Sequence, residues 1–173
     1  MDALDHYSIP VSGLRNGLHE FNFLIDRQFF SNFQESPLQE GAVSVKLLFD
    51  KRPDLYVMTF EIEGTVKTTC DRCLEEFDLP IEDTQALMVK FDDKEWEETD
   101  VIYILKGTLR LNVARYIYEF VNLAVPMVKT HDEAGESCDP DMLRFLGEQE
   151  KDSTEEPDSN PLRDALKGFN LEN

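Results

Sequence analysis

The sequence predicts an α+β fold: an antiparallel β-sheet, curved or barrel-like, with one long helix packed on it and a short C-terminal helix. Three patterns carry this expectation. Apolar residues alternate with polar ones through most of the stretch from His19 to Leu105. From Leu111 to Ala124 the spacing becomes helical, and it does so again near the C-terminus. Strands that follow one another without intervening helices pair antiparallel, so no parallel crossover units are expected.

The elements follow in order. Pro10, Gly13 and Gly17 mark a lead-in with turns. In HEFNFLI, His19 to Ile25, the apolar Phe21, Phe23 and Ile25 alternate with polar residues and predict a strand. Asp26 to Phe33 reads as a short helix with Asp26 as its cap. Val43, Val45, Leu47 and Phe49 share one face of the next strand. A turn around Pro53 returns the chain with Tyr56, Met58, Phe60 and Ile62 on one face and Thr59, Glu61 and Glu63 on the other. This is a hairpin with one wet face. Gly64 interrupts the returning strand, which points to a bulge or a close backbone approach. Phe77 to Ile81 and Ala86 to Phe91 predict further strands, Asp92 to Asp100 an acidic loop around the sole tryptophan, Trp96, and Val101 to Leu105 a short buried strand.

In the helix, Val113, Ile117, Phe120 and Ala124 form one apolar row and Leu111, Ala114, Tyr118 and Val121 the next; Pro126 stops it. Residues 148–159 carry many charges and no apolar side chain, which predicts an acidic linker between a domain at 1–147 and a tail at 160–173. In the tail, Asn160 caps, Pro161 suits the first helical position, and Leu162, Leu166 and Phe169 fall on one face. Such a helix either docks on its own domain or awaits a partner.

Composition narrows the function. The formal charge is −19, from 36 acids against 17 bases. Phosphate backbones repel such a surface, so unaided RNA or DNA binding is disfavoured and a basic protein partner suits the charge. A local patch of Lys46, Lys51, Arg52, Lys67 and Arg72 is the route by which RNA binding would escape this argument. The N-terminus lacks an apolar signal region and no run is long enough to span a bilayer, so a cytoplasmic location with reduced thiols is expected.

Cys70 and Cys73 form a C-x-x-C pair at the tip of the hairpin, and His131 and Cys138 lie in the polar loop after the helix. Three thiolates and one imidazole are a common composition for structural zinc. The second half is looser than a tight metal-binding turn, so Asp132 or Glu136 stands as a substitute ligand, with Cys138 then a plain thiol. A redox dithiol is the other reading. It is disfavoured because such a pair should open a helix after a parallel strand, and because Glu75, Glu76 and Asp78 should raise a thiol pKa. No nucleophile–base–acid arrangement and no glycine-rich phosphate loop is visible, so nothing asks for an enzyme.

TTCDRCLEEF, Thr68 to Phe77, resembles the C-x-R-C signature of the YceD family, the large ribosomal RNA accumulation proteins of bacteria and plastids. LAVP, Leu123 to Pro126, is similar to the family's L-x-x-P at the end of its helix. NPLRDALKGF is similar to its tail motif, with Phe169 in place of a leucine. HDEAGESC, His131 to Cys138, looks like the form in which a His-Asp and then a Cys follow the L-x-x-P. The resemblance implies a role in synthesis, processing or stability of large-subunit ribosomal RNA; it does not imply a catalytic activity. The partner expected from charge is then a basic ribosomal protein or assembly factor, met through Arg72 and the tail residues Asn160, Pro161, Leu162, Leu166 and Phe169.

Overall fold

The computed structural model describes residues 4–34 and 36–144. The linker expected at 148–159 and the helix expected at 160–173 lie outside the described residues, as do Asn160, Pro161, Leu162, Leu166 and Phe169. The chain divides into two compact units, Met1–Ser137 and Cys138–Asn173. In the second, the described residues open a helical turn in which Asp139 accepts from the backbone N–H groups of Asp141 and Leu143.

The first unit is built on a six-stranded sheet of order β2-β3-β4-β5-β7-β6. Its strands are β2 (Gly17–Ile25), β3 (Gly41–Lys51), β4 (Leu55–Thr69), β5 (Glu76–Asp92), β6 (Trp96–Glu98) and β7 (Val101–Leu105). Two-residue strands β1 (Ser8–Ile9) and β8 (Leu111–Asn112) pair separately. The helices are α1 (Arg27–Phe30), whose Asp26 cap accepts from the Phe29 N–H at 3.1 Å, and α2 (Ala114–Leu123).

Alternation fixes which face is buried. Val45, Leu47 and Phe49 of β3 register with Ile62, Phe60 and Met58 of β4, and all six are buried. Each such side chain contributes about 1.5–3 kcal/mol. Ile117 and Val121 of α2 are fully buried, and Phe120 meets the Phe60 ring edge-on with centroids 5.1 Å apart. β4 and β5 make the longest hairpin, paired from Leu55↔Lys90 to Thr69↔Glu76, and they carry the chain to the cysteine turn.

Three parts of the expected architecture are overturned. The chain is mostly sheet, and among the described residues there is no long helix: α2 has ten residues. Leu111 and Asn112, expected in its first turn, pair with β1 instead. The Asn112 amide bonds the Leu4 carbonyl and the Ser8 hydroxyl, and its oxygen accepts from the Ala114 N–H at 2.9 Å. A side chain that satisfies the first turn from outside makes a helix start, not a helix interior. Second, among the described residues the sheet is open and no barrel closes. β6 is three exposed residues, too short to pair along the nine-residue β2 at the far edge. Third, among the described residues one pairing is parallel, β5 with β7. β6 and β7 form a tight antiparallel hairpin, and with β6 on the outer edge β7 runs alongside β5 in the same direction. The acidic loop expected at Asp92 to Asp100 thus contains a strand.

Candidate metal centre

At the tip of the β4–β5 hairpin the chain reverses in six residues. The Cys70 N–H donates to the Glu75 carbonyl at 2.8 Å and the Leu74 N–H to the Cys70 carbonyl at 3.0 Å. The Arg72 N–H points at the Cys70 sulfur, at 3.5 Å. This reversal needs one left-handed residue, and Leu74 supplies it with φ 63° while leaving its side chain 68 % exposed. The left-handed conformation costs an L-residue about 1–2 kcal/mol that glycine is spared. Leu74→Gly should therefore stabilise the protein by about 0.5–1 kcal/mol after glycine's greater unfolded-state entropy is subtracted. A rise in the urea midpoint for Leu74→Gly but not for Leu74→Ala is the expected result; equal midpoints would remove the strain.

The segment after α2 is tied to this tip through Asp71. Its N–H donates to the Lys129 carbonyl at 2.7 Å, and its carboxylate accepts from the Lys129 N–H, also at 2.7 Å. That pins the chain two residues before His131, which opens a one-turn 3-10 helix, His131–Ala134, closed by Gly135 at φ 72°. The imidazole is buried, lies against the Phe77 ring with centroids 4.5 Å apart, and brings Nδ1 to 3.3 Å from the Cys73 sulfur. Outside, the Arg72 guanidinium pairs with the Asp132 carboxylate.

Cys138, the residue peptide-bonded to Ser137, completes the donor set. The ligand atoms of Cys70, Cys73, His131 and Cys138 all lie within 4.8 Å of one another, and all four residues are buried. None of the three cysteines is in a disulfide. Tetrahedral zinc with sulfur at about 2.3 Å and nitrogen at about 2.0–2.1 Å requires donors about 3.5–3.8 Å apart. The group is near that size, and its chemistry is that of a soft, closed four-ligand site. It can hold a metal ion.

Burial pushes the Cys70 thiol up, but backbone N–H groups of Cys73, Arg72 and His131 and the Cys73 thiol together outweigh it. They bring it from 9.0 down to about 6. The raised thiol pKa expected from Glu75, Glu76 and Asp78 does not occur at Cys70, because the oriented N–H groups dominate. The consequence for the metal-free protein has a definite sign. The thiolate is favoured in the folded chain, so its stabilisation is complete above pH 9, grows from about 6 to 9, and is lost as pH falls through about 6. In chelator, the urea midpoint should rise over that interval, and Cys70→Ser should flatten the rise; a flat profile for the parent chain would refute it.

The structure thus brings Cys70, Cys73, His131 and Cys138 together. Neither substitute ligand is in this group: the Asp132 carboxylate pairs with Arg72, and Glu136 is exposed. Each base of the alternative RNA patch has a partner. Lys46 pairs with Glu61, Arg52 with Asp50 and Lys67 with Glu40, while the Lys51 ammonium donates to the Val11 and Leu14 carbonyls. Asp71 and Phe77 escaped the sequence reading as parts of the site. Asp71 sits inside the C-x-x-C, which is signal enough to ask what it bonds; nothing local names Lys129.

Residues 58–170 match the family described as Large ribosomal RNA subunit accumulation protein YceD. Comparison with curated proteins and with solved structures finds no match. The matched span is more than half of the 173 residues and holds the hairpin tip, α2 and all four donors. The chain belongs to the YceD family.

Proposed function

We propose that this chain is a non-enzymatic factor for accumulation of the large-subunit ribosomal RNA, that it works through a basic ribosomal protein or assembly factor, and that zinc on Cys70, Cys73, His131 and Cys138 fixes its hairpin tip. The match over residues 58–170 carries the first part, since the family's name implies that role and names no catalytic activity. A net charge of −19 supports the second. So does the state of the five bases offered as an RNA patch, each of which is paired with a carboxylate or spends its donors on backbone carbonyls. Proteins that hold RNA do so with cations available to phosphates. For zinc the support is the donor chemistry: three sulfurs and an imidazole select a soft ion, and four protein ligands leave no position for a reacting water. The site then serves structure, by joining Cys70 and Cys73 at the tip to His131 beyond α2. Among the described residues no helix is long and apolar enough to cross a membrane. A reducing cytoplasm would keep the thiols available as ligands.

The test is recovery of the tagged chain from cell extract, with and without ribonuclease, and separate analysis of protein and RNA. Retention of one or more basic ribosomal or assembly proteins after ribonuclease is the expected result. If every recovered protein leaves with the RNA, and purified chain titrates labelled RNA tightly at physiological salt, the partner reading fails and direct RNA binding replaces it.

A further inference from the structure

The face of the sheet turned away from α2 was expected to be uniformly wet, and it is not. Register places Val57, Met88 and Val101 side by side in one row across β4, β5 and β7. In the next row Leu55 pairs with Lys90, Lys90 with Tyr103, and Tyr103 with Trp96 of β6; a lysine at such a place can cover apolar surface with its stem while its ammonium reaches water. The rings of Trp96 and Tyr103 stack 3.9 Å apart and 3° from parallel, with Trp96 42 % exposed and Met88 38 % exposed. Leu105, 44 % exposed, continues the strip along β7. Four strands at about 4.8 Å and two rows at about 7 Å make an area about 19 Å by 14 Å, apolar except for Lys90 in the second row and Glu98 at the edge of the first. Alternation ordinarily puts polar residues on a solvated sheet face, so this gathering of apolar and aromatic side chains, rimmed by polar ones, points to an interaction surface.

Its borders are acidic. Asp50 stands in the same row as Val57, and Glu98 pairs with Val101 at the other end. Asp92 registers with Leu105 and holds the Trp96 indole N–H at 2.8 Å. Beyond the strip on the same face, Glu63 and Glu82 are directly paired. We infer that this strip is the docking surface for a basic amphipathic polypeptide segment, whose apolar side chains cover Val57, Met88 and Trp96 and whose Lys or Arg side chains meet Glu98 and Glu82. Charge selects this occupant. A second copy of a chain at −19 would bring like charge to the same borders. The chain's own residues 160–173 hold two acids and two bases and offer the borders little. The inference rests on the basic-partner reading above and names the surface that would serve it.

The test uses the full chain and a synthetic 18-residue peptide with leucines on one helical face and lysines and arginines on the other. Trp96, the one tryptophan, reports docking. The parent chain should bind with a blue shift of its emission, and Met88→Glu should weaken binding at least about tenfold, as expected for a charge placed at the centre of an interface. Glu98→Lys should weaken it severalfold and reduce its salt dependence. Val57→Thr, which keeps the strand's β-branched shape, gives a smaller loss should Met88→Glu not fold. The proposal is overturned if a scrambled peptide of the same composition binds equally well, or if Met88→Glu folds and binds like the parent. It is likewise overturned if Met88→Glu converts a dimer to a monomer in sedimentation, which assigns the strip to a second copy, or if Leu166→Glu in the full chain shifts Trp96 emission, which assigns it to the tail. Met88→Glu carried through the extract experiment separates the two readings. Basic proteins recovered equally with parent and variant leave the partner and remove this surface; none recovered with the parent, with the peptide still bound, removes the partner reading alone.

Discussion

Cys70→Ser should lose the metal and much of the stability together. Protein prepared without chelator should carry close to one zinc per chain, and the variant almost none, by elemental analysis. The reasoning starts from the position of Cys70. It is fully buried at the last step of the β4–β5 hairpin, and three backbone N–H groups face its sulfur. Those donors are spent on a thiolate; a serine hydroxyl neither carries that charge nor reaches as far as sulfur. A site that binds only the folded chain stabilises it by about 4 kcal/mol when free metal exceeds the dissociation constant a thousandfold. For a domain of this size that is roughly 8–16 °C in melting temperature. Chelator should impose a similar loss on the parent and almost none on Cys70→Ser, since the variant has nothing left to remove. A metal-free parent, with Cys70→Ser melting at the same temperature, would leave the four residues a buried polar cluster and withdraw zinc from the proposal.

The donor types were legible in the sequence because cysteine and histidine are rare in it and the C-x-x-C sits at a hairpin tip. Their meeting was not. It depends on Asp71 bonding the backbone of Lys129, a contact over 58 residues that no local pattern encodes. The looseness between His131 and Cys138 was a matter of counting residues. A 3-10 turn ending in a left-handed Gly135 compacts that path, and neither turn type nor φ can be counted from composition. The inner face of β3 and β4 was legible for the opposite reason. Period two places Val45, Leu47 and Phe49 on one side whatever the partner strand is. Where tertiary pairing decided, the sequence misled. Trp96 was read into an acidic loop because its reason for being a strand is Tyr103 across the register, and Leu111 was read into a helix because its partner, Ile9, lies far upstream.

Gly64→Ala should be the most damaging single methyl that can be added to the sheet. The interruption at Gly64 resolves into a close backbone approach. A Cβ built there lies 2.3 Å from the Ala42 carbonyl oxygen and 2.6 Å from the Val43 Cα, against a practical floor of 3.0 Å for real contacts. Both obstacles are backbone of β3, held by pairing on either side, so no side chain can swing away. Gly64 registers with Val43 on one side and Ile81 on the other, both buried, and any retreat pulls apart the centre of the sheet. Its φ of +157° is itself a conformation that L-residues rarely adopt. Overpacking costs about 1–3 kcal/mol and the backbone strain a further 1–3 kcal/mol. Together they predict a loss of about 3–5 kcal/mol, a large part of the stability of a domain this size. Gly107 separates the two contributions, because at φ +90° it is also left-handed but has nothing within 4 Å of an added Cβ. Gly107→Ala should therefore cost only the conformational share, about 1–3 kcal/mol. In urea, both variants should shift the midpoint with little change in slope, Gly64→Ala by clearly more. Equal shifts would mean that β3 and β4 separate easily at this point, and that the glycine is there for its backbone angle and not for the contact.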